Sequence, residues 1–260
     1  RGIAAVFREI PQTILTVEQL GLPERLRDLA MLNTGLVLVT GPTGSGKSTT
    51  LSCLVDLINR TRNCHILTLE EPIEFLHRHN RSIVNQREIG QDTKNYTRAL
   101  RSALRESPDV ILLGEMRDLE TMSIAMTAAE TGHLVFSTLH TVGASKTIDR
   151  IIDVFPPNQQ QQIRIQLSTV LQAVVSQQLI PSAQKGRVAA FEIMVANNAI
   201  RNMIREAKTF QMDAAIQMGR AGGMISMDGS IAQLVRDKLV SREDALLYCV
   251  NPDVLTRMLA

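Results

Sequence analysis

The stretch LVLVTGPTGSGKS, Leu36 to Ser48, decides the fold. Leu36–Thr40 is a short apolar run that reads as a strand, and Gly41–Ser48 fits GxxxxGK[ST] without deviation. Beyond it Leu51, Leu54, Val55 and Ile58 recur on one face of a helix. Strand, glycine loop and helix in that order are what a phosphate cradle requires. The glycines let backbone N–H groups turn inward around phosphate oxygens, and the helix N-terminus adds partial positive charge. Gly41, Pro42, Thr43, Gly44, Ser45, Gly46, Lys47, Ser48 and Thr49 are the candidate binding residues for the phosphates of ATP. Lys47 reaches the β- and γ-phosphates, and the Ser48 hydroxyl is a candidate ligand for Mg²⁺.

On the carboxyl side the pattern repeats. HILTLE (His65–Glu70), SIVNQ (Ser82–Gln86), VILLGE (Val110–Glu115) and HLVFSTL (His133–Leu139) read as strands, with helices over Thr97–Glu106 and Asp118–Glu130. Alternation of this kind predicts an α/β fold with a mostly parallel sheet covered on both faces, spanning residues 34–195. Gln177–Met194 reads as two strands joined by a turn around Lys185–Gly186, and the Gln run after Pro156–Pro157 as a polar helix start. Residues 196–260 show only short helical patterns and predict a small C-terminal helical region. On the amino side Ala4–Ile10 reads as extended and stops at Pro11; Thr16 caps a helix, and Pro23 opens a second carrying Leu22, Leu26, Leu29 and Ala30. Residues 11–33 are expected to be linker helices. Residues 1–10, starting at Arg rather than Met, are expected to be the remnant of an upstream domain.

Composition narrows the function classes. The 260 residues are 44% hydrophobic and 21% charged, enough to bury a real core. Lys plus Arg number 28 against 26 Asp plus Glu, a balance that argues against a DNA-coating protein. Aromatics are 3% with no Trp, so a stacking platform for single strands is poorly supplied. Cys53, Cys64 and Cys249 form no CxxC pair, which excludes a disulfide framework and a four-thiolate zinc site. No apolar run approaches the roughly 20 residues of a membrane span, and no signal-peptide pattern is visible.

A phosphate site of this type needs a carboxylate at the carboxyl end of a neighbouring strand. Asp109 and Glu115 bracket VILLG and lie roughly 20 Å apart along a strand, which selects Glu115 for Mg²⁺ and leaves Asp109 at the strand start. Hydrolysis further needs a group to orient or deprotonate water. Glu70, Glu71 and Glu74, just past another strand and punctuated by Pro72, are the candidates, and periodicity does not choose among them. His133 and His140 lie at opposite ends of one strand and on opposite faces, so they share no metal there. His140, at the carboxyl end, is the candidate γ-phosphate sensor.

Together GPTGSGKST, TLEEPIEF, GEMRD and AAETGHLVFSTLHT resemble the secretion ATPases of the type II and type IV pilus class. The resemblance covers essentially the whole chain, and it implies a RecA-like P-loop NTPase core, Glu74 as the general base, Glu115 as the Walker B carboxylate, and His133 and His140 as the His-box positions. The absence of a tetracysteine insertion, together with AIRNMIRE (Ala199–Glu206), resembles PilT-type retraction ATPases. That implies a cytoplasmic homohexameric motor for pilus retraction and twitching motility. It also implies work against an inner-membrane platform protein at the cytoplasmic face, membrane association only through partners, and no stable nucleic-acid binding. Glu71, Met203 and Ser137 stand where the family commonly has Asp, Leu and Gly.

In this family linker arginines neutralise phosphate charge. Arg8 resembles one of them, and Arg25 and Arg27 are weaker matches. Arg98, Arg101 and Arg105 form a basic helix stripe, read equally as a subunit contact or a solvated face. In AIRNMIRE, Ile200, Met203, Ile204 and Ala207 are expected to form a buried stripe, with Arg201 and Arg205 an exposed basic pair that meets an acidic partner. The alternative reading is a nucleic-acid translocase or DNA-transfer ATPase on the same core.

Overall fold

The structure, a computed structural model, describes residues 2, 5, 13–182, 184 and 186–260. Arg8 and all of the Ala4–Ile10 stretch except Ala5 therefore lie outside the described residues. Thr16 opens α1 (Val17–Leu20) with a capping box: its hydroxyl accepts from Gln19 N, and the Gln19 side chain accepts from Thr16 N at 2.9 Å. In α2 (Arg25–Ala30) the helix starts two residues past Pro23, so the proline precedes the cap instead of opening the helix.

β1 (Gly35–Thr40) and α3 (Lys47–Thr61) flank the glycine loop as expected. Then come β2 (His65–Glu70), β3 (Ile83–Glu88), α4 (Tyr96–Ala103), β4 (Val110–Leu113), α5 (Leu119–Glu130) and β5 (Leu134–Leu139). α4 stops short of the expected Glu106; Ser107 takes left-handed backbone (φ 50) immediately before Pro108, a residue that disfavours helical backbone in its predecessor. α6 (Ala144–Asp153) and α7 (Pro157–Val170) lead into the hairpin of β6 (Leu171–Ser182) and β7 (Gly186–Val195). β6 begins well before the Gln177 start read from sequence, because Leu171, Ala173, Val174 and Val175 continue directly from α7 with no breaker between them. Lys185, at the expected turn, lies outside the described residues. The chain closes with α8 (Asn198–Arg205), α9 (Met212–Met218), α10 (Met227–Arg236), α11 (Arg242–Tyr248) and α12 (Pro252–Leu259).

The sheet order is β3-β2-β4-β5-β1-β6-β7, parallel throughout except for β7, which runs antiparallel to β6. Alternate residues of each central strand go to opposite faces. Leu36, Leu38, Leu67, Leu69, Ile111 and Leu113 bury against α4–α9; Val37, Val39, Ile66, Val110 and Leu112 bury against α1–α3. A third cluster packs Met227, Ile231, Val240, Ala245 and Leu255 of the C-terminal region on Ile180, Val188 and Ala190 of the hairpin. The carboxyl ends of β2, β4, β5 and β1 thus lie side by side, each followed by a loop carrying one of the sequence motifs.

The reading of AIRNMIRE is corrected. α8 ends at Arg205, Ala207 is exposed with left-handed backbone (φ 57), and the fully buried residues of the helix are Ile200 and Ile204. Arg201 is not an exposed cation awaiting a partner: it donates to the carbonyl oxygens of Ser168 and of Thr169 (2.7 Å) and caps the C-terminus of α7. Arg205 hydrogen-bonds Asn202 on its own helix.

Candidate active site

Gly46 ends the loop and forms the N-cap of α3 with left-handed backbone (φ 88), and no side chain caps the helix. Its first N–H groups are free to meet an anion. Gly41 is required by close approach: a Cβ there would stand 2.1 Å from the Gln177 carbonyl oxygen of β6, at φ 142. The buried Lys47 ammonium donates to the carbonyl oxygens of Gly41 (2.9 Å) and Pro42 (3.0 Å), drawing the loop around itself. Burial pushes its pKa down, opposed by the carboxylates of Glu115 and Glu74. Thr43, Gly44, Gly46, Lys47, Ser48 and Thr49 line a cleft of about 450 Å³. Gly41, Pro42 and Ser45 do not line it; the carbonyl oxygens of Gly41 and Pro42 instead hold the Lys47 ammonium.

The opposite wall carries the acids. Glu70, Glu71, Glu74, Glu115 and His140 line the same cleft. Glu70 is buried at the end of β2, accepting from the Thr68 hydroxyl (2.6 Å) and the Gln86 amide (3.2 Å); burial holds its pKa above the usual carboxylate range. Glu71 is exposed, 3.9 Å from Arg117. Glu115 is largely buried, bonded to Arg117 and 3.4 Å from His140 Nε2. Tyr96 also faces this wall; burial and the neighbouring carboxylates of Glu115 and Glu71 raise its phenol pKa.

A second cleft of about 450 Å³ continues from the first through Gly46, Thr49, Leu179 and Arg187, and is walled by Leu20, Leu22, Leu234 and Leu239. Among the described residues, no group of three His, Cys, Asp or Glu side chains can hold a metal ion by itself. The donor set, one hydroxyl and one carboxylate, instead fits Mg²⁺, which keeps most of its waters and shares its shell with substrate phosphates.

The sequence model of the type II/IV secretion system protein family matches residues 2–236. The chain belongs to this family. It is 56% identical over 245 residues to a Pseudomonas aeruginosa protein named type IV pilus retractation ATPase PilT, covering 94% of this chain and 71% of that one. It is 55% identical over 257 residues to a Neisseria gonorrhoeae twitching motility protein, covering 98% of this chain and 69% of that one. Its structure aligns with the crystal structure of the pilus retraction motor PilT with bound ADP at a TM-score of 0.91 and 51% identity, over 96% of this chain and 71% of that one. The α/β architecture and mostly parallel sheet expected from the sequence are therefore those of a secretion ATPase.

Within this secretion ATPase frame the fold brings Lys47, Ser48, Glu74, Glu115 and His140 together. His133 is elsewhere, at the start of β5, with Nδ1 2.9 Å from the Ala128 carbonyl oxygen at the end of α5. Asp109 accepts from His65 N at 2.8 Å, at the amino ends of β2 and β4. Arg25 pairs with Asp28 at 2.9 Å and Arg27 with Glu18 and Glu24, so both serve α1 and α2. Arg101 of the α4 stripe pairs with Glu120 at 2.6 Å.

Three residues were missed. Thr138 donates to the Gly114 carbonyl oxygen at 2.6 Å and accepts through its own carbonyl from Met116 N, bracketing Glu115. Arg187 borders both clefts. Gln177 bonds to the loop itself. No local signal singled out the last two, since the hairpin also carries Gln172, Ser176, Gln178 and Glu192.

Proposed function

We propose that the chain is the ATP-hydrolysing motor of type IV pilus retraction, the activity behind twitching motility. The observation that carries this is the convergence of the Lys47–Ser48 loop with Glu74, Glu115 and His140 in one cleft. Lys47 and the α3 N-terminus bind the β- and γ-phosphates. Ser48 and Glu115 would hold Mg²⁺, which would supply positive charge to the phosphates. Glu74 takes the proton of the attacking water, and His140 reports the state of the γ-phosphate to Glu115. The apolar cleft beside Gly46 and Thr49 takes the nucleoside.

Residues 34–195 form the RecA-like ATPase unit and 196–260 its helical appendage, preceded by linker helices within 11–33. The working assembly is a homohexamer at the cytoplasmic face of the inner membrane, held there by the pilus platform protein. None of the helices among the described residues is long and apolar enough to cross a membrane.

The test is phosphate release from ATP by the purified chain, set against Lys47→Ala, with sedimentation velocity in the presence and absence of a non-hydrolysable ATP analogue. Turnover that vanishes in the variant and a hexamer-sized species support the reading. Wild-type turnover in Lys47→Ala refutes the phosphate site, and a strict monomer refutes the assembly.

A further inference from the structure

The Gln177 side chain on β6 is buried, and it lies between two parts of the phosphate-binding unit. Its Oε1 accepts from the Thr50 hydroxyl at 2.8 Å, in the first turn of α3, and its Nε2 donates to the Ser45 carbonyl oxygen at 2.7 Å, inside the loop. The amide fits in one orientation only: turned over, its oxygen would face the Ser45 carbonyl, two acceptors with no proton between them. The Gln177 backbone also shapes the loop, its carbonyl oxygen standing where a Cβ on Gly41 would go, and Nε2 lies 2.9 Å from the corresponding point on Gly46. The glycine loop is thus pressed against β6 at both ends and tied to it in the middle.

We propose that Gln177 is a positioning residue for nucleotide binding: its amide fixes the curvature of the Gly41–Ser48 loop so that the N–H groups converge on phosphate before any ligand arrives. This rests on the nucleotide reading above. It goes further by locating loop preorganisation in a residue of the sheet, far along the chain from the motif. Ordering a glycine-rich loop costs conformational entropy, and a tether that meets this cost in the folded chain leaves less to be met on binding. Leu supplies neither an acceptor nor a donor, and ionised Glu turns a carboxylate toward a carbonyl.

The experiment measures the affinity of the full chain for a fluorescent N-methylanthraniloyl ADP with Mg²⁺, and urea unfolding, for wild type, Gln177→Leu, Thr50→Val and the double variant. Gln177→Leu is expected to weaken ADP binding about tenfold, the size of a lost pair of neutral hydrogen bonds, and Thr50→Val about threefold. Gln177→Leu also leaves the Thr50 hydroxyl buried without its acceptor, and adding Thr50→Val removes that hydroxyl. The double variant is therefore expected to regain part of the urea stability but none of the affinity. If affinity returns together with stability, Gln177 is a packing residue and the proposal fails. Wild-type affinity in Gln177→Leu also overturns it, while Thr50→Val still reads the tether should Gln177→Leu not fold. A wild-type chain that binds no ADP refutes the nucleotide reading, and this proposal with it.

Discussion

The imidazole of His140 and the carboxylate of Glu115 meet at 3.4 Å, Nε2 to Oε2, joining the carboxyl ends of β5 and β4. Neither lies in the glycine loop, so the pair is placed to affect the chemical step more than nucleotide affinity. His140→Ala is expected to lower ATP turnover about 10–100-fold while ADP affinity stays within about twofold. Parallel turnover and equilibrium binding measurements check this. A variant losing affinity in proportion to turnover would assign His140 to phosphate binding.

Glu74→Gln is expected to retain nucleotide binding and lose turnover by about 10²–10⁴-fold, since it removes a proton acceptor but not a phosphate ligand. Glu70 is buried and already engaged by Thr68 and Gln86, so Glu70→Gln is expected to act mainly on stability. Turnover that survives Glu74→Gln but stops in Glu70→Gln or Glu71→Gln would move the base.

Arg201→Ala removes a charged cap from the last carbonyls of α7 and is expected to cost about 1–2 kcal/mol of stability. Arg205→Ala, which loses a bond within its own exposed helix face, is expected to stay within about 0.5 kcal/mol of wild type. Urea unfolding midpoints decide it. Equal stabilities for the two variants would contradict the capping role.

His77 is expected to make the fold acid-sensitive. Burial pushes its pKa from 6.5 down to about 4, and its Nδ1 is buried with no hydrogen-bond partner. The folded state therefore holds the neutral ring, while the unfolded chain takes up a proton below pH 6.5. Its contribution is complete above pH 6.5 and is lost as pH falls toward 4, a change on the order of 3 kcal/mol. The buried carboxyls of Glu70 and Glu192, whose pKa values burial raises, act in the opposite sense, because protonation at low pH relieves their cost. The difference between wild type and His77→Gln isolates the histidine: the variant's melting temperature is expected to fall less between pH 7 and pH 5. Identical pH profiles would contradict the assignment.

The glycine loop between β1 and α3, the place of Glu115 at the carboxyl end of its strand and the strand–helix alternation were legible because each rests on local rules. A glycine loop has a fixed spacing, strands and helices bury residues at different periods, and only one end of a parallel strand faces the ligand. AIRNMIRE shows where local rules fail. Its spacing identified Ile200 and Ile204 as buried, yet the same spacing placed Arg201 on an open face. Nothing within those eight residues announces that the end of α7 stands beside it.

By itself, then, the sequence determined that this chain builds a parallel α/β sheet around a phosphate-binding loop, because hydrogen-bonding geometry and apolar periodicity act within a few residues. Only the tertiary structure decided which side chains serve that loop. The order β2-β4-β5-β1-β6 brings Glu115 within reach of His140 and places the Gln177 amide between Ser45 and Thr50. Strand order comes from how whole layers pack, and contacts between residues far apart in the chain exist only once that packing is complete.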